Sequence, residues 1–149
     1  MIKIEQSVVI NRPVEEVFEF IANPENLSLW AGAVKESKLI SEGPVGVGST
    51  SSNVIELLGR RIESVNEVTE YELNSKIATK STSGPMPVES KQTLKAVEGG
   101  TEVTNSAKVE GAGVFKLAEP IFARMVNRQV DMDFANLKDL MEARAFDSD

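Results

Sequence analysis

The chain has 149 residues, 41% of them hydrophobic and 26% charged, a formal charge of −7, and neither cysteine nor histidine. A chain of this size and composition reads as one globular domain, residues 1–149, burying about 68–70% of its unfolded surface. The two absences exclude disulfides, thiolate nucleophiles, zinc sites of the usual kind and Ser-His-Asp triads. Acid–base chemistry would fall to a carboxylate, lysine or tyrosine with a displaced pKa. The negative charge argues against a nucleic-acid partner, and Arg60-Arg61, the only adjacent basic pair, reads as a solvated turn. No apolar run approaches the roughly 18 residues of a membrane span. The alternating start MIKIEQSVVI resembles neither a secretory signal nor a transit peptide. These features predict a cytoplasmic protein without membrane insertion, monomeric or homodimeric.

In chain order, residues 3–10 form a predicted strand. NRPVEEVFEFIANP follows as a helix, with Asn11 or Arg12 as cap, Pro13 in the first turn and Glu15 and Glu16 at the positive end. Val14, Val17, Phe18 and Ile21 make its apolar stripe. Pro24 stops it, and Asn23-Pro24 opens a second short helix ending near Trp30, the only tryptophan. Glycine and proline breaks then separate six strands, near 33–41, 49–58, 61–70, 76–83, 87–97 and 101–110. Such short connections imply antiparallel pairing. GPVGVGST (43–50) lacks the Lys-Ser/Thr and the following helix of a phosphate-binding loop, so it reads as a hairpin loop at a pocket mouth.

The last third is a predicted helix from about Val114 to Arg144, ended early or bent at Pro120, which cannot donate to the Lys116 carbonyl. Phe115, Phe122, Val126, Val130, Leu137, Leu140 and Met141 share one face. Arg124, Asn127, Asp131, Lys138 and Glu142 share the other, and the apolar face packs on the sheet. Period-two alternation selects the sheet face that meets it. The uncharged sets are Ile62, Ser64, Asn66, Val68; Ile77, Thr79, Ser81; Val88, Ser90, Gln92, Leu94; and Val103, Asn105, Ala107, Val109. Many of these are polar. A closed core would charge about 1–3 kcal/mol for each unpaired group, so a mostly apolar, water-accessible cavity dotted with amides and hydroxyls accounts for them. Hydrogen bonding among small polar residues across the strands is the alternative.

The element order (strand, two short helices, six strands, long helix) resembles the START-like, SRPBCC or helix-grip, superfamily. The motifs resemble its polyketide cyclase/dehydrase branch: INRPVEEVFEFIANPENLSLW, LLGRRIESVNEVTEYE, STSGPMPVES and EPIFARMVNRQVDMDFANLKDLMEA. The resemblance covers residues 4 to 144. It implies an α+β helix-grip fold: a curved seven-stranded antiparallel sheet, two short helices, and a long C-terminal helix across the sheet. A pocket between sheet and helix would hold an apolar small molecule. The family motif usually has proline two residues after the tryptophan, where this chain has Gly32. No catalytic residue carries over.

The expected pocket is lined by Trp30, Ser64, Asn66, Thr79, Ser81, Ser90, Gln92, Asn105, Phe122, Met125, Val126 and Asp133. Trp30 either closes one end of it as a packed aromatic or stacks on a ring-shaped ligand. Met125 beside Phe122 offers an adaptable wall, whereas Met132 reads as ordinary packing. Asp133 interrupts the apolar helix face, so it is expected to be buried and is the candidate acid; a salt bridge or hydroxyl contact with the sheet is the other reading. Tyr71 reads as a surface residue in a turn, and the glutamates of 63–72 as a solvated face. No metal, nucleotide or redox cofactor is implied. The expected function is binding of a hydrophobic, cyclic small molecule. The competing readings are a cyclase, aromatase or dehydratase acting on a polyketone, with Asp133, Tyr71 or waters moving protons, and a lipid or quinone carrier.

Overall fold

A computed structural model describes residues 2–57, 59–110 and 119–143. Leu58, Val114, Phe115, Lys116 and Arg144 of the sequence reading lie outside them. Strands β1 (Ile2–Ile10), β2 (Val34–Leu39), β3 (Thr50–Leu57), β4 (Arg60–Glu72), β5 (Lys76–Ser83), β6 (Val88–Val97) and β7 (Gly100–Val109) form one antiparallel sheet. The order β1-β7-β6-β5-β4-β3-β2 is a meander from β2 to β7, to which β1 adds beside β7. Register shifts in the β2–β3 and β4–β5 ladders mark bulges, which bend and twist strands, and the sheet is curved.

Helix α1 (Val14–Ala22) buries Val17, Phe18, Phe20, Ile21 and Ala22 against the concave face. Its cap differs from the expectation. Pro13 itself holds the cap position at ψ 147°, and no side chain caps the helix. The Asn11 backbone N–H instead donates to Glu142 Oε2 at 2.9 Å, and the Arg12 side chain pairs with Glu16. The Asn23 side chain accepts from the Glu25 N–H at 3.0 Å, capping a 3₁₀ turn (Pro24–Asn26) that leads into α2 (Leu27–Trp30).

Helix α3 (Glu119–Ala143) has 25 described residues, about 37 Å at 1.5 Å per residue. Pro120 sits in its first turn, where its missing N–H is no loss. The helix runs alongside β1 in the same direction. Phe122 packs with Ile2 and Ile4 near its start, and Lys138 Nζ donates to the Val9 carbonyl at 2.7 Å near its end. The expected solvent face is thus partly engaged: Lys138 and Glu142 clamp the end of β1, while Arg124 and Asp131 stay exposed. Phe134, absent from the expected apolar face, is buried. No helix among the described residues is long and apolar enough to cross a membrane.

The inward sets read from alternation are buried or half-buried in the sheet. Ile62, Val68, Ile77, Leu94, Val103 and Asn105 face the concave side and are buried. One segment departs. A bulge at Thr69 shifts the register so that Tyr71 pairs with inward-facing Ile77. Tyr71 therefore turns in and meets Phe18 edge-on at 5.4 Å between ring centroids; it is not a surface turn residue. The same bulge leaves Glu70 outward, between Lys91 (2.9 Å) and Lys76 (3.3 Å). Lys91 foremost, then Lys76, holds the Glu70 carboxyl below its usual range.

Candidate functional site

A cavity of about 120 Å³ opens between the concave sheet face and the helix pair α1–α2. Its helix-side wall is apolar: Ile21, Ala22, Pro24, Leu27 and Trp30, joined by Leu39 of β2 and Val45 of the following loop. The sheet-side wall adds Val68 and Ile77 but is otherwise neutral and polar, with Ser37, Asn53, Asn66, Thr79, Ser90 and Gln92. Ser49, Thr50 and Ser51 complete it where the 43–50 loop enters β3, so that loop borders the cavity as its glycine pattern suggests. Among the described residues no acidic, basic or tyrosine side chain lines this space.

The polar groups are largely paired with one another. Ser37 Oγ lies 2.5 Å from the Pro24 carbonyl and 2.8 Å from Asn53 Oδ1, so its single proton serves one acceptor at a time. Thr79 Oγ1 and Ser90 Oγ are 3.0 Å apart. Gln92 Nε2 donates to Asn105 Oδ1 at 2.7 Å. Cross-strand bonding and a cavity, set as alternatives by the sequence, thus occur together.

Of the twelve residues expected at a pocket, the structure gathers Trp30, Asn66, Thr79, Ser90 and Gln92 around this one. Trp30 is 6% exposed, with its indole edge-on to Phe134 at 5.1 Å between centroids. Asn105 is buried behind Gln92. Ser81 Oγ accepts from the Val88 N–H at 2.8 Å. Ser64 lies beside Gly84, away from the cavity lining. Phe122, Met125 and Val126 belong to a separate apolar cluster with Ile2, Ile4, Ala107 and Val109. No residue of α3 lines the cavity among the described residues.

Asp133 is 8% exposed, as its place on the apolar stripe predicts, and it serves as a latch. Its Oδ1 accepts from the Gly32 N–H at 2.9 Å and from Gln129 Nε2 at 2.8 Å. Burial pushes its carboxyl above the usual value, with the Gly32 and Gln129 hydrogen bonds pulling the other way. Gly32 now has a physical reason. A proline there has no N–H to give Asp133, and any Cβ would meet Gln129 Nε2 at 2.9 Å.

The β2 and β3 contributions, Ser37, Leu39, Thr50, Ser51 and Asn53, were not among the expected residues. In TSSNVIEL both alternation sets are mostly polar or small, so alternation alone distinguishes the faces poorly. Glu56 is the one charge that marks Thr50, Ser52 and Val54 as its own face and Ser51 and Asn53 as the other.

Known proteins share this fold. A protein from Thermus thermophilus, TTHA0849, superposes with a TM-score of 0.82 at 17% identity, covering 95% of this chain and 97% of that one. The Zhui aromatase/cyclase from Streptomyces sp. R1128 gives 0.76 at 14% identity, covering 96% and 94%. A START superfamily protein from Mycobacterium smegmatis gives 0.67 at 15%, covering 97% of each chain. At such identities the likeness is one of fold. No curated protein matches the sequence. The family model described as "Polyketide cyclase / dehydrase and lipid transport" matches residues 1–142, and the chain belongs to that family.

Proposed function

We propose that this chain, acting as a single domain, binds a small, neutral, mainly apolar molecule in the cavity under α1 and α2. The observation that carries the reading is the character of the two walls. Helical residues supply apolar surface, the sheet supplies amides and hydroxyls, and no charge lines the space among the described residues. Pockets of this make-up orient a ligand by a few polar groups while apolar area supplies affinity. A volume near 120 Å³ suits one six-membered ring, since a dry cavity of about 150 Å³ takes up benzene. A larger ligand needs the 43–50 loop or α2 to move outward.

Binding is favoured over proton-transfer catalysis because neither candidate acid lines the cavity: Asp133 is bonded to Gly32 and Gln129, and the Tyr71 ring packs on Phe18. Native mass spectrometry of the protein isolated from its host is the direct test. A retained neutral molecule of a few hundred daltons or less is the expected result. A retained phospholipid, or turnover of a polyketone above its solution rate, would replace this reading by the carrier or the cyclase respectively.

A further inference from the structure

The cavity reading above leaves open which residue orients the ligand. Gln92, Asn105 and Gln6 are direct cross-strand partners on β6, β7 and β1. Their side chains form a row of three primary amides across the concave face. Gln92 Nε2 donates to Asn105 Oδ1 at 2.7 Å, and Asn105 Nδ2 donates to Gln6 Oε1 at 2.9 Å. Every donor points towards β1. The row therefore ends in Gln6 Nε2, a buried donor with no protein acceptor among the described residues, and begins at the cavity with Gln92.

A primary amide carries a donor and an acceptor at opposite corners, so such a row has a direction. Turning all three amides end for end keeps both bonds, now reversed. The group left over at Gln6 becomes a carbonyl, and Gln92 presents its NH₂ to the cavity. A buried N–H without a partner is rarer and more costly than an under-used carbonyl. The reversed direction relieves the misfit at Gln6, provided that something in the cavity accepts from Gln92.

We propose that Gln92 is the specificity-determining residue of the cavity, donating from Nε2 to the oxygen of a neutral carbonyl ligand, with Asn105 and Gln6 fixing its polarity from behind. A ketone, lactone or quinone oxygen meets this requirement. A carboxylate or phosphate would be buried without a compensating charge in this lining. Asn105 is 3% exposed, and neither it nor Gln6 lines the cavity. Their influence on a ligand passes through the row.

The test uses two ring-sized probes that differ in the oxygen, 4′-fluoroacetophenone and 4-fluoroethylbenzene, titrated by fluorine NMR. Without a donor in the cavity the ethyl compound binds more tightly, because the ketone gives up its hydrogen bonds to water. We expect the ketone to bind the native chain about three- to tenfold more tightly, one neutral hydrogen bond's worth. Asn105→Asp places an acceptor-only group in the row, which draws the amides of Gln92 and Gln6 towards itself. At pH 8 it should abolish the ketone preference while leaving the ethyl compound within twofold of its native affinity. If that variant does not fold, Gln92→Met should abolish the same preference, and the carbonyl stretch of the ketone bound to the native chain should lie below its value in hydrocarbon. An unshifted stretch, or a preference indifferent to Asn105 and Gln92, overturns the donor role and leaves the cavity reading standing. Failure of both probes to bind overturns the cavity reading and this inference with it.

Discussion

Trp30 lines the cavity, and Asp133 holds the turn just after it through the Gly32 N–H. The indole lines the cavity on one side and packs edge-on against Phe134 on the other. Trp30→Ala is expected to cost about 3–5 kcal/mol, as truncation of a core aromatic does. The native emission should be blue-shifted, and a solvent-like spectrum would contradict this packing. Asp133 titrates with the opposite sign to most stabilising carboxylates. Its folded-state proton affinity is raised above the ordinary 3.8 by burial. The folded chain therefore holds more protons than the unfolded one just above pH 3.8, and that contribution to stability is lost as pH rises through the folded value. Glu142 runs the other way, lowered from 4.5 by Lys138 first and then by the Asn11 N–H. Its contribution is present above 4.5 and lost as pH falls. Asp133→Asn should remove only the first dependence. Thermal midpoints of both proteins between pH 3 and 6.5 should show the gap between them changing with pH, and a constant gap would refute the assignment.

At the scale of the elements, the chain wrote most of its fold openly and hid what depends on partners. All seven strands begin and end within about two residues of their expected bounds, because turn-forming residues punctuate the chain, glycine or proline at most breaks and Asn74, at φ 60°, between β4 and β5. Charge alternation finds the concave face of β4 to β7. It cannot foresee the bulge at Thr69, since a bulge arises in a ladder between two strands, and so it misplaces Tyr71. Nor can it foresee the amide row, which exists only once β1 lies beside β7 in the register that sets Gln6 opposite Asn105. The cavity is half legible for a related reason. Its sheet wall follows the alternation, whereas its apolar wall comes from α1 and α2 and not from the long helix to which Phe122, Met125 and Val126 belong. Gly100 shows a constraint that only the assembled sheet reveals. At φ 150° its backbone passes so close to the end of β1 that a Cβ would stand 2.0 Å from the Ile10 carbonyl oxygen. Gly100→Ala is expected to lower stability by about 1–3 kcal/mol, in the range of overpacked cores, readable from the urea midpoint at constant slope. A neutral outcome would mean that β1 and β7 can separate there at little cost.

At the scale of the molecule, the interior divides into two apolar clusters. The larger gathers α1, α2 and the second half of α3 with Ile10, Val68, Ile77, Leu94 and Val103, and the smaller sets Phe122 against Ile2, Ile4, Ala107 and Val109. Only the larger borders the cavity, through Ile21, Ala22, Trp30, Val68 and Ile77. Phe122→Ala and Phe134→Ala should each cost about 3–5 kcal/mol. Phe134→Ala should also weaken binding of a ring-sized probe, whereas Phe122→Ala should not. Equal effects on the probe would show the two clusters to be one continuous body. The pairing of the first strand with the last has a consequence for how the protein is made. While the ribosome is still adding residues, β2 to β6 can zip together in the order in which they emerge. β1, which is made before them, has no strand neighbour until β7 has been synthesised some ninety residues later. Throughout that interval β1 is unpaired and Ile2 and Ile4 lack Ala107, Val109 and Phe122 as cover, which makes β1 the strand most in need of a chaperone during translation.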